Sequence, residues 1–285
     1  MTEPFVLTRY LYIKEDVLMS LLISILEKEY DESLFWASEL YFSGYEQETV
    51  EYIYAIYMNL FYSKNPKLKR IMKVGLKRYD KGIHIIASLL LNLTSKNRSF
   101  TLQYFISKQT EEDIIEDVKP KLEEIKNKET KIIIFSDQSK STKYENYVGE
   151  IKLHLILRTA CKYKVRREWG DVFECHYKDM SYNEIFNLHV SDWLYYASFS
   201  PIWKERIDQY KGKIDYNLNK VEFENEDYFE EFHEKYEYDV DEQPVVVQNK
   251  IFGPSILKKL NINDLFKKYE PCIKIHKIKK IKRNK

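Results

Sequence analysis

Three cysteines and six histidines are the strongest metal ligands and nucleophiles in this chain of 285 residues. Cys175-His176 and His189 lie close in sequence, with Cys161 upstream as a candidate fourth ligand. A structural zinc site holds four such side chains at fixed spacing, usually framed by Cys-x-x-Cys pairs. The chain has no such pair, so these residues read as buried thiols and as surface or capping imidazoles. Asp137, followed thirteen residues later by Glu150-Ile151-Lys152, matches the carboxylate-and-lysine order of metal-dependent nucleases. That chemistry requires both segments to be strands holding a cation, and short matches of this kind arise by chance in a chain that is 32% charged. A phosphate cradle needs a glycine-rich loop, but the chain has seven scattered glycines and neither a Gly-x-x-x-x-Gly-Lys nor a Gly-x-Gly-x-x-Gly. The Gly-x-Ser-x-Gly of a hydrolase elbow is also absent. The expectation is no catalytic residue, no cofactor and no resident metal.

Two features remain that could make contacts. Residues 271–285 carry Lys274, Lys277, Lys279, Lys280, Lys282, Arg283 and Lys285 with no acid, interleaved with Ile273, Ile275, Ile278 and Ile281. Such a tail can neutralise nucleic-acid phosphates or lie on anionic lipid. It can equally be a solvated terminus, or a strap on the acidic stretch 221–243. Trp193, Tyr195, Tyr196 and Trp203, with Phe199 among them, form an aromatic cluster. Most clusters of this kind are core; a minority are contact or stacking surfaces.

The elements that must position these groups are mostly helices. Val17, Leu18, Leu21, Leu22, Ile25 and Leu26 recur at helical spacing, and so do Val50, Ile53, Tyr54, Tyr57 and Phe61. Asp31 and Asn65-Pro66 read as helix starts, and Gly44 as a left-handed residue just past a helix end. The second helices of three successive pairs begin near Asp31, Asn65 and Asn97, 34 and 32 residues apart. Pairs at that interval fit a stacked helical repeat or a bundle of similar helices. A sixth helix is expected at 99–107, a charged one at 111–128 broken at Pro120, and a short strand at 131–135. The stretch 147–163 fits either helix or strand, and its length favours helix. Ser181 and Glu184 form a capping box. Ser200-Pro201 opens a helix that Gly212 ends. Residues 245–247 read as an isolated β-prone triplet.

Charge separates sharply after Gly212. Residues 221–243 hold eleven acids and one lysine, and residues 256–285 hold eleven lysines and arginines and two acids, beneath a whole-chain net charge of +1. No stretch of 18 apolar residues occurs, so no transmembrane segment is expected. The three cysteines form no disulfide framework, which points to a reducing compartment.

Several segments carry a resemblance: Arg9-Tyr10-Leu11-Tyr12, Leu34-Phe35-Trp36-Ala37 with Glu39-Leu40-Tyr41 and Gly44, Asn65-Pro66-Lys67, Trp193-Leu194-Tyr195-Tyr196-Ala197 with Pro201-Ile202-Trp203-Lys204-Glu205-Arg206, and Tyr238-Asp239-Val240-Asp241-Glu242-Gln243. Together they resemble a family of uncharacterised proteins of giant, mimivirus-like nucleocytoplasmic DNA viruses. The resemblance implies viral origin and residence in the host cytoplasm, the viral factory or the virion. It brings no activity and no site residues.

The expected fold is mainly α. A helical-repeat-like domain of αα-hairpins spans 1–118, a charged linker with a possible short strand 119–146, a second helical region 147–212, and a charge-segregated, extended C-terminal arm 213–285. The expected function is a non-enzymatic interaction or structural role, with a viral or host protein or a second copy of the chain as partner. The alternatives are nucleic-acid binding through 271–285 and, third, a nuclease-like enzyme.

Overall fold

The computed structural model describes residues 5–102, 138–145, 152–173, 175–177, 179–255 and 258–269. Among them the chain is mainly α-helical, with one two-stranded sheet. The helix expected at 111–128, the strand at 131–135 and most of the helix at 99–107 lie outside the described residues.

Five helices build the N-terminal part: α1 (Lys14–Leu26), α2 (Tyr30–Tyr41), α3 (Glu46–Ile56), α4 (Lys69–Arg78) and α5 (Ile83–Thr94). Helices α1 and α2 are buried nearly all round, polar positions such as Asp16, Ser20, Ser24 and Ser33 included. A helix without a solvated face belongs inside a core. Helix α3 runs on into a π-helical turn, Tyr57–Phe61. Gly44, after α2, has φ +92, and a Cβ there would fall 2.4 Å from Pro201 Cβ. Glycine is therefore required at that position twice over, by conformation and by space. Helix α5, apolar for most of its length, touches α1, α2, α3 and α4. In a linear stack the third pair meets only the second. Contact between α5 and the first pair closes these αα-hairpins into a bundle with α5 at its centre.

Two expected caps do other work. Helix α2 begins at Tyr30, so Asp31 sits inside its first turn with no side-chain cap formed at Glu29. Asn65 opens a 3-10 turn, Pro66–Leu68, but its side-chain amide donates to the Phe61 and Ser99 carbonyls.

The second part contains α6 (Gln138–Ser141), α7 (Ile156–Ala160), α8 (Tyr182–Ala197) and α9 (Pro201–Gln209). Of the stretch 147–163, α7 takes only Ile156–Ala160: Lys152 is extended, Leu153–Leu155 form a 3-10 turn, and Cys161 leaves the helix with ψ 82. Ser181 and Glu184 form the reciprocal capping box at the start of α8. Lys211, at φ 52, turns the chain out of α9. Gly212 instead begins β1, where a Cβ would fall 2.5 Å from Ile207.

Strands β1 (Gly212–Asp215) and β2 (Lys220–Phe223) pair antiparallel, with Gly212 opposite Phe223. Helices α10 (Glu226–Tyr236), α11 (Val245–Phe252) and α12 (Ile262–Tyr269) follow. The described part of the segment read as an arm is thus a hairpin and three helices. The β-prone triplet 245–247 forms the first turn of α11. There Val247, Ile251 and Phe252 fall on the buried face, so helical spacing outweighs the β-preference of single valines.

Residues 5–13 join the two parts. This segment is not helical, is almost wholly buried, and carries an isolated bridge between Leu7 and Ile13. Leu7 N donates to Tyr196 O at 3.3 Å, and Trp203 Nε1 donates to Thr8 O at 2.9 Å. A single cluster of buried apolar side chains runs from Phe5 to Leu265.

Candidate functional site

The buried charges lie where the N-terminal bundle meets the rest of the chain. Glu39, on α2, is fully buried. Its carboxylate accepts from Thr8 Oγ1 at 2.7 Å, Tyr10 N at 3.0 Å and Arg9 Nε at 3.0 Å. The Arg9 guanidinium also donates to the carbonyls of Tyr144 and Glu145. Asp16, equally buried on α1, accepts from Arg167 Nε at 3.0 Å, from Arg167 Nη2 and from the Tyr177 hydroxyl. A buried carboxylate is tolerated when its lone pairs are filled by such donors.

Asp31 is a third hub. Lys143, Lys162, Tyr144 and Tyr163 all donate to its carboxylate, at 2.6–2.9 Å. Partial burial pushes this carboxyl up, but hydrogen bonds from Lys143, Tyr163, Lys162 and Tyr144 outweigh it and hold the group well below the usual carboxylate range. Phe35 meets both tyrosine rings edge-on at 5.3 Å. Arg166 completes the series, donating to Glu27 and Glu32 at 3.0 and 2.9 Å.

Two cavities follow, the first beside the Asp16–Arg167–Tyr177 strut. The larger, about 540 Å³, is lined among others by Arg167, Cys175, Tyr177, Ser181 and Lys259. Its volume suits a small ligand, and Arg167 Nη1 is buried without a hydrogen-bond partner. Its thiol is unreactive, however: burial and the nearby Glu15 and Asp16 charges push Cys175 up to about 12, which keeps it protonated and non-nucleophilic. The second cavity, about 270 Å³, brings His189 and Trp193 to the acidic loop Glu237, Asp239, Asp241 and Glu242. His189 is fully buried, with its Nε2 on Leu11 O at 2.7 Å, and burial pushes it down to about 4. Neutral at physiological pH, it is a poor general acid. Lys28 is pushed down to about 7 by burial and the Arg98 charge. Its ammonium donates to Leu93 O at 2.9 Å and lies over the Phe61 and Phe100 rings, which is a packing arrangement.

The residues singled out from sequence fall as follows. Trp203, Tyr195 and Tyr196 are core side chains, at most 3% exposed. Their burial follows from packing on residues 5–13: the Tyr196 ring lies 4.4 Å from Phe5. Trp193 is half-buried, edge-on to Trp203 at 5.3 Å. The cluster is thus mainly a wall of the core, with only Trp193 open to a cavity. Cys161 is buried, and burial pushes its thiol up. His176 pairs with Glu15. Among the described residues no group of three or more Cys, His, Asp or Glu side chains is placed to hold a metal. No helix there is long and apolar enough to cross a membrane. Asp137, Glu150 and the tail cations Lys274, Lys277, Lys279, Lys280, Lys282, Arg283 and Lys285 lie outside the described residues.

Two surface features escaped the reading from sequence. Tyr216 (65% exposed) and Leu218 (60%) stand out from the hairpin turn, and Phe229, Val245 and Val246 are exposed nearby in sequence. The turn is held by Asp215 Oδ1, which accepts from Asn217 N at 2.8 Å and Leu218 N at 3.1 Å. The other feature is the outer face of α4, which is basic and solvated. Comparison with family models, with curated proteins and with solved structures gives no match.

Proposed function

We propose that the chain is a non-enzymatic interaction protein that docks a second protein through the hairpin and its flanking helices. One observation carries this reading. Among the described residues, five of the six exposed large hydrophobic side chains lie between Tyr216 and Val246, and two of them sit on one hydrogen-bonded turn. Exposed apolar side chains on a rigid support mark contact surfaces. The surrounding side chains of α10, Glu226, Asp227, Glu230, Glu231 and Glu234, are exposed acids. The partner that fits is therefore a protein with an apolar patch rimmed by lysine and arginine. The pushed-up thiols and pushed-down imidazole support a non-catalytic role. In the setting the sequence resemblance suggests, that partner is a viral or host protein in an infected cell.

The test is a comparison of wild type with the Tyr216→Ser/Leu218→Ser variant. Both side chains are exposed, so the variant keeps the wild-type melting temperature. In affinity purification from infected cells, followed by reconstitution with purified components, wild type yields a defined complex and the variant loses it. A complex that survives both substitutions, or a wild-type chain that is monomeric and assembles with nothing, overturns the reading. Concentration-dependent self-association abolished by the same substitutions identifies the partner as a second copy.

A further inference from the structure

Helix α4 and its flanks form a strongly basic surface among the described residues. Between Glu51 and Asp80 the chain has no acid, while residues 64–81 contain Lys64, Lys67, Lys69, Arg70, Lys73, Lys77, Arg78 and Lys81 against Asp80 alone. Helical spacing sorts these residues by face. Leu68, Met72 and Gly75 are buried, with Ile71 and Leu76 partly so, while Arg70, Lys73, Val74, Lys77 and Arg78 are exposed. The apolar face is fully committed: α4 packs on α3 and α5, and a Cβ at Gly75 would fall 2.6 Å from Leu89 Cδ1. Arg70, Lys73, Lys77 and Arg78 make no ion pair among the described residues. At about 1.5 Å per residue, the ten residues of α4 span on the order of 15 Å, and Arg70, Lys73 and Lys77 recur about once per turn.

We propose that this face contacts the phosphate backbone of duplex nucleic acid, independent of base sequence. The surface chemistry selects that partner over others. A protein interface needs an apolar core and is depleted of lysine, and this face offers only Val74. A membrane-surface helix inserts an apolar face, and that face of α4 is already buried. Single-strand binding uses exposed aromatic platforms, and the outward positions of α4 carry none. The exposed cations Arg70, Lys73, Lys77 and Arg78, recurring about once per turn of α4, match a polyanion with regularly spaced charge. The surface is distinct from the tail 271–285 and from the hairpin, so the inference stands or falls separately from the protein-docking role.

The probe is a fluorescent 20-base-pair duplex of arbitrary sequence titrated with the full-length protein over a range of salt. Engagement of Arg70, Lys73, Lys77 and Arg78 gives a log–log salt slope of about −3 to −4, from roughly 0.9 per phosphate neutralised. Arg70→Gln/Lys73→Gln/Lys77→Gln reduces the magnitude of that slope by about 3 and weakens binding about tenfold or more at low salt. Arg70→Lys/Arg78→Lys, which keeps the charge, binds as wild type. All substituted side chains are exposed, so circular dichroism and melting temperature stay unchanged. The proposal is overturned if the triple variant keeps the wild-type slope, or if deletion of 271–285 alone abolishes binding. It is also overturned if the face binds vesicles containing about a third phosphatidylserine but not the duplex.

Discussion

At the scale of single residues, the ionisable groups inside this protein are set by neighbours far away in the chain. His189 shows what that means for stability. Its ring is enclosed, edge-on to Phe252 at 4.5 Å, with Nε2 committed to Leu11 O. The folded state therefore resists protonation down to about pH 4, whereas an unfolded histidine titrates near about 6.5. Because the folded value is depressed, the unfolded chain binds the extra proton between those pH values. The stability linked to neutral His189 is thus fully present above about pH 6.5 and is lost as pH falls toward about 4. The loss approaches about 1.4 kcal/mol per pH unit within that window and about 3 kcal/mol in total. Urea denaturation across pH 4–7 measures it. His189→Phe removes this proton from the linkage and flattens the profile by one proton. A variant with the wild-type slope would show that another group governs acid unfolding. Asp31 and Glu27, both held below their usual values in the folded state, carry linked stability that is full above their unfolded values and is lost as pH falls below them, from about 4 downward.

At the scale of elements, what could be read from sequence was local. Helices α1, α3, α8 and α9 declare themselves by apolar spacing, by the Ser181–Glu184 box and by Pro201, all features within a few residues of one another. Asp31 looks like a cap for the same reason. Its true partners, Tyr144 and Tyr163, stand 113 and 132 residues away, and no local pattern reports them. The aromatic run 193–203 could be core or surface until the N-terminal segment is seen to lie against it. The start of α4 was legible at Asn65-Pro66, but its basic face was not: its cations are cancelled by acids elsewhere in a chain of net charge +1. The α4–α5 contact also makes a sharp prediction. Alanine ordinarily favours a helix over glycine by about 1 kcal/mol. At Gly75 the new methyl meets the buried Leu89 side chain at 2.6 Å, and overpacking of that kind costs about 1–3 kcal/mol. Gly75→Ala is therefore expected to lower stability, and Leu89→Ala, which destabilises alone, to cost less in the Gly75→Ala background. A double-mutant cycle by denaturant unfolding checks the coupling. Additive effects would mean that the helices separate freely at this point.

At the scale of the whole molecule, buried interactions join the residues before 118 to those after it. Arg9 on the N-terminal segment reaches the carbonyls of Tyr144 and Glu145. Asp16 of α1 holds Arg167 and Tyr177. The Trp203 indole donates to Thr8 O. Loss of one of these contacts is felt on both sides, because it strands a charge or a polar group in a shared core. Arg167→Ala leaves the Asp16 carboxylate buried with the Tyr177 hydroxyl as its remaining side-chain donor among the described residues. Removing one partner of a buried pair costs about 3–5 kcal/mol, most of it the desolvation of the charge left behind. Two independent domains would answer with two transitions, only one of them displaced. A single cooperative unit answers with one transition displaced as a whole. We expect the latter: in wild type and Arg167→Ala alike, amide exchange in α1 and α8 reports the same unfolding free energy, lower in the variant by the same amount at both sites. Loss of protection in α8 while α1 keeps its wild-type value would separate the two parts and return the molecule to a chain of domains. A shared shift means that a ligand at either the hairpin or α4 stabilises the entire described fold, by an amount set by its concentration relative to its dissociation constant.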